Sequence, residues 1–106
     1  MEKETEEKIS QLTQLEQNAH QFLNQRQLLQ TQILEIESAL NELKTTENSY
    51  KIIGNIMISA NKDNLEKELK SKEEMLNMKV NSIEKQEKKI KEKASELQKE
   101  VMEKLK

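Results

Sequence analysis

The sequence predicts an all-α-dominated fold: an antiparallel two-helix coiled coil with a single β-hairpin at the joint. Three features point there. Two long polar segments carry apolar residues at alternating steps of three and four. The chain has no proline. Its one glycine, Gly54, lies inside its one β-branched stretch, Tyr50-Lys51-Ile52-Ile53-Gly54-Asn55-Ile56-Met57-Ile58-Ser59. The expected organisation is one domain over residues 1–106, with helix 1 at about 3–46, the hairpin at about 49–60 and helix 2 at about 62–105.

Composition narrows the class. Charged residues make up 36% and aromatics 2%, with mean hydropathy −0.98, so a conventional globular core cannot be filled. Disorder would tolerate that charge but would not place apolar residues at fixed helical spacing. Without cysteine there are no disulfides and no thiolate metal sites. Residues 1–7 are acidic and polar, unlike a secretory signal, and no apolar run nears the roughly 18 residues that span a bilayer. The expectation is a soluble, cytoplasmic protein without membrane association.

In the first arm the a positions are Leu12, Ala19, Arg26, Ile33 and Leu40, and the d positions Leu15, Phe22, Leu29, Ile36 and Leu43. Nine of these ten are apolar, which sets a coiled-coil seam. Thr45-Thr46-Glu47-Asn48-Ser49 then compete for backbone hydrogen bonds and end the helix near Lys44 to Glu47.

At the joint, β-branched isoleucines flank Gly54-Asn55, and glycine accepts positive φ without steric penalty, so a hairpin is expected. A lone two-stranded hairpin is marginal in water. Tyr50, Ile52, Ile53, Gly54, Ile56, Met57 and Ile58 are therefore expected to form an oligomerisation site that pairs with other chains.

The second arm opens at Asn61-Lys62-Asp63-Asn64, where Asn61 or Asp63 can cap the helix. Its seam runs through Leu69, Leu76, Ile83, Ile90 and Leu97 at d, and Val80, Glu87, Ala94 and Val101 at a. The short connection forces the arms antiparallel. Matching a layers to d layers gives a register in which facing residue numbers add to 109, such as Leu40 with Leu69 and Ile33 with Leu76. Arg26 and Glu87 interrupt opposite seams one layer apart, close enough to pair and fix that register; the alternative is that each snorkels outward separately. Residues 1–50 carry 9 acids and 4 bases and residues 51–106 carry 11 acids and 14 bases, so the arms are oppositely charged.

Little in the chain suggests catalysis. One glycine cannot build a phosphate-cradling loop, and His20, alone beside the seam, reads as solvated. Glutamates among lysines at helical spacing are the solvated face of a coiled coil. The basic run Lys85, Lys88, Lys89, Lys91 and Lys93 is broken by Glu84, Glu87 and Glu92 and lacks aromatics, unlike a nucleic-acid stripe. No enzyme activity, cofactor, metal or nucleic-acid partner is expected. Two sets of apolar residues remain. Leu34, Met75 and Met78 fall at outward positions, where a neighbouring subunit could pack. Ile9, Leu12, Leu15, Leu97, Val101, Met102 and Leu105 gather at the far end, about 60 Å from the hairpin at helical rise. They read either as the seam continuing to its end or as an adaptable apolar tip.

These residues resemble the β-type subunits of prefoldin, in the archaeal manner. The resemblance covers nearly the whole chain and is most specific in Tyr50 to Ile58, similar to the family's Tyr-Lys-x-Val-Gly hairpin. It continues through Asn61-Lys62-Asp63 into Lys85-Gln86-Glu87-Lys88-Lys89-Ile90. One hairpin between the helices resembles the β type rather than the α type. The resemblance implies a hetero-hexamer of two α-type and four β-type subunits whose hairpins join an inter-subunit β-barrel. It also implies an ATP-independent holdase whose tips bind non-native client proteins and deliver them to a group II chaperonin. A structural coiled-coil scaffold without client binding is the alternative that the residues leave open.

Overall fold

The computed structural model describes residues 2–106. Helix α1 spans Lys3–Thr45, strands β1 and β2 span Ser49–Ile53 and Ile56–Ala60, and helix α2 spans Lys62–Leu105. The chain divides into two compact units. One comprises Leu28–Val80, with the hairpin; the other comprises α1 up to Gln27 and α2 from Asn81 onward.

Each element ends where local chemistry ends it. Thr45 and Thr46 both donate their hydroxyls to the Glu42 carbonyl, at 3.3 and 2.7 Å, answering a last-turn acceptor that the helix leaves open. At the other joint Asn61 is the cap: its Oδ1 accepts the Asn64 N–H at 3.1 Å, while its carbonyl accepts the Leu65 N–H at 2.9 Å. Asp63, the alternative cap, instead lies inside the first turn, where a carboxylate suits the helix dipole.

The strands pair antiparallel as Ser49 with Ala60, Tyr50 with Ser59, Lys51 with Ile58, Ile52 with Met57 and Ile53 with Ile56. Gly54 has φ +61° and among the described residues no non-glycine has positive φ, so the two-residue reversal has the II′ pattern, with glycine first. Ser49 Oγ donates to the Ala60 carbonyl at 2.7 Å and closes the base of the hairpin.

Below the hairpin, the core of this unit is Ile33, Ile36, Leu76 and Val80, with Leu29, Leu40 and Leu69 packed against them. Leu76 is the most covered of these, 3% exposed. All seven are seam positions. In the other unit Ile83, Leu97 and Val101 are buried, and the seam closes on Thr5, only 2% exposed.

Within that second unit Arg26 and Glu87 form a two-pronged pair. Nε donates to Oε1 at 2.7 Å and Nη2 to Oε2 at 3.3 Å, with the two side chains 26% and 24% exposed. The Glu87 hydrogen bond raises the guanidinium pKa further, against a smaller opposing effect of burial. Two forked bonds define an orientation that one layer of leucines would not.

Two outcomes are expected. Nothing lies within 4 Å of a Cβ built on Gly54, so Gly54→Ala costs stability through its positive φ alone, about 1–2 kcal/mol in thermal unfolding. Arg26→Glu and Glu87→Arg each lower the midpoint of thermal unfolding by circular dichroism, and the double swap recovers most of the loss. A double variant no better than the worse single one would mean the two residues act separately.

Candidate functional site: an unsatisfied hairpin and a clasped tip

The hairpin leaves both edges open and apolar side chains exposed on both faces. In a two-residue hairpin the pair flanking the turn is hydrogen-bonded and alternate pairs follow. With the observed register, the N–H and C=O groups of Tyr50, Ile52, Met57 and Ser59 therefore point outward along the two edges. Those four side chains also share one face, since opposed residues do. The other face carries Lys51, Ile53, Ile56 and Ile58 and is turned toward α2 at its base, where Lys51 Nζ reaches both Glu68 oxygens at 2.7 and 2.9 Å. Even so, Tyr50, Ile52, Ile53, Ile56, Met57 and Ile58 are all between 43% and 67% exposed. A soluble half-buried sheet hides one apolar face; this one shows apolar groups on both, with open edges. Where the hairpin meets the helices a groove of about 210 Å³ is floored by Leu43, Leu65 and Leu69 and edged by Ser49 and Tyr50.

The seven tip residues do not share one environment. Leu97 and Val101 are buried in the seam, Ile9, Leu12 and Leu15 are half-buried, and only Met102 and Leu105 are open, at 61% and 58% exposed. Of the seven, only these two stand open with the seam closed. The seam runs one heptad further than its apolar residues suggest, through Thr5 at a and Lys8 at d. Lys8 Nζ lies 3.1 Å from Glu100 and 3.9 Å from Glu4, and Lys104 lies 3.6 Å from Glu2. The Glu100 hydrogen bond is the main cause that holds the Lys8 ammonium pKa above its usual value. Both polar closers could have been read by stepping back seven from Leu12 and Leu15.

Leu34, Met75 and Met78 are exposed, and so is Leu28, at another outward heptad position. Leu28 is a residue the sequence reading passed over. His20 is exposed. Among the described residues no His/Cys/Asp/Glu group is placed to hold a metal ion, and no helix is long and apolar enough to cross a membrane.

Comparison with known proteins follows the same geometry. The family model described as "Prefoldin subunit" matches residues 6–106. The prefoldin subunit beta of Sulfolobus acidocaldarius is 32% identical over 105 residues, covering 96% of this chain and 84% of the relative. That of Thermococcus kodakarensis is 34% identical over 92 residues, covering 84% of this chain and 79% of the relative. Among solved structures, the prefoldin beta subunit from Thermococcus strain KS-1 superposes with a TM-score of 0.92 at 30% identity, covering 99% of this chain and 95% of that one. Two long helices joined by one hairpin are the β-type pattern, and the chain belongs to the prefoldin family of chaperone subunits, in its β type.

Proposed function

We propose that this chain is the β subunit of an ATP-independent holdase, a hetero-oligomer with an α-type prefoldin subunit. It takes up non-native proteins at its tips and hands them to a group II chaperonin in the cytoplasm. The observation that carries the reading is the hairpin. Six large side chains exposed on two faces of a two-stranded sheet need other chains to cover them. Strands added at the edges would satisfy the outward N–H and C=O groups of Tyr50, Ile52, Met57 and Ser59, and closure into a shared β-barrel leaves no edge. The groove above Leu43, Leu65 and Leu69 would seat an apolar side chain of a neighbour.

Client binding rests on the tip. Its apolar groups are few, so one tip binds weakly. Several tips on one platform raise the effective concentration and hold a large client by avidity, and release then needs no nucleotide. The reading assigns no catalytic step, metal, cofactor, nucleic acid or membrane.

Ile53→Lys with Ile56→Lys is expected to dissolve the oligomer in sedimentation or native mass spectrometry while helicity persists. A variant that assembles normally would remove the hairpin from the interface. An assembled complex whose arms lack residues 1–12 and 98–106 should keep its oligomeric state yet no longer suppress aggregation of a denatured protein on dilution. Undiminished suppression would place clients elsewhere, and wild-type arms that never suppress aggregation would leave a structural scaffold.

A further inference from the structure

We propose that the ion pair between Lys51 and Glu68 is a strut that sets the tilt of the hairpin against α2, and through it the spread of the arms in the assembled complex. The inference rests on the hairpin being the assembly site, and it deepens that reading by assigning what orients each arm on the shared platform. Lys51 adds nothing to the hairpin's apolar surface, yet it is the one charged residue in either strand. Its ammonium lies 2.7 and 2.9 Å from the two Glu68 carboxylate oxygens. Among the described residues no other side-chain hydrogen bond or ion pair joins a strand to a helix.

The tilt has one short joint. The chain leaves β2 at Ala60 and enters α2 at Lys62, with Asn61 alone between them, while residues 46–48 give a longer connection on the α1 side. Asn61 is held to the helix: its Oδ1 accepts the Asn64 N–H and its carbonyl the Leu65 N–H. Lys51 sits opposite Ile58, three residues before Asn61, and Glu68 lies seven residues after it. At the rise of a strand and of a helix, these are two sides of about 10 Å each that meet at Asn61. The ion pair closes the triangle. A third side fixes an angle that a single joint leaves open.

The two side chains are 39% and 53% exposed, so the pair adds little to stability and is screened by salt. Its leverage is geometric. With two sides near 10 Å, lengthening the third by about 1 Å opens the joint by about 6°. Beyond Glu68, α2 continues to Leu105. That is about 55 Å at helical rise, so a rotation of about 6° displaces the helix end by about 6 Å. A contact too weak to hold the fold together can thus hold an arm to one angle, and ionic strength alone can release it.

The chain has no cysteine, so spin labels can be placed by single substitutions. Labels at Asn55→Cys and Met78→Cys within one chain report the tilt, and a label at Gln98→Cys on the chains of the assembled complex reports the spread. Glu68→Ala is expected to assemble normally in native mass spectrometry while both distance distributions broaden, the spread by about 5 Å. The wild type in about 1 M sodium chloride should broaden to match, and Glu68→Ala should not respond to salt. Lys51→Glu with Glu68→Lys should bring back the narrow distributions at low salt. Distances that stay narrow in Glu68→Ala would overturn the proposal, and so would a tilt that loosens without the spread following. A wild-type chain that does not assemble with an α-type subunit would sink the assembly reading instead, and the labels within one chain would still decide whether the pair sets the tilt.

Discussion

The structure depends on a reversal that uses two residues and no more. Gly54 and Asn55 turn the chain so that each pair in the hairpin ladder has numbers adding to 109. The core below it contains Leu40 and Leu69, Ile33 and Leu76, and Leu29 and Val80, whose numbers give the same sum. Three residues, 46–48, lead from α1 into the ladder and one, Asn61, leads from the ladder into α2. One residue more in the turn would move an alternating strand to its other face and shift one seam against the other, so ladder and core are fixed together. A single glycine with φ +61° carries that demand because no other residue type enters such a turn without strain.

Charge contributes in a way that the arm totals misrepresent. The first arm is acidic and the second basic, which suggests acids of α1 facing bases of α2. Among the described residues only Lys104 with Glu2 runs in that sense. Arg26 with Glu87 and Lys8 with Glu100 place a base of the acidic arm against an acid of the basic arm. Net charge falls off with distance and screening, while hydrogen-bonded contacts are set by side-chain reach at each layer. The specific pairs follow the layers and not the totals. Elsewhere Glu66 shows the same local rule: its carboxyl is held below the usual range, first by the hydrogen bond from Lys70 on its own helix.

Most of the fold was legible because its determinants are periodic or local. Helix 1 ends at Thr45, within the Lys44–Glu47 window set by the threonine-rich break, and helix 2 runs from Lys62 to Leu105 as the seam and the cap imply. The seam, the glycine turn and the strand pair all follow from patterns inside one window of sequence. The tip was harder. Heptad position separates Leu97, at d, from Met102, one past the a residue Val101, but it does not give how far the last layers are covered, which depends on the polar residues Thr5 and Lys8. Leu28 was missed for the opposite reason. An isolated outward leucine breaks no pattern, and a single sequence assigns it no neighbour.

The four methionines among the described residues, Met57, Met75, Met78 and Met102, are all exposed, and none belongs to the buried core. Oxidation of a thioether to the sulfoxide turns a pliable apolar group into a polar one. The packed seam of leucine, isoleucine and valine offers an oxidant nothing comparable. Oxidative damage would therefore alter the hairpin surface and the outward face of α2 while leaving the two helices zipped together. Such a subunit would pass a test of folding and still have lost apolar contact surface, and methionine sulfoxide reduction would restore it without unfolding the chain.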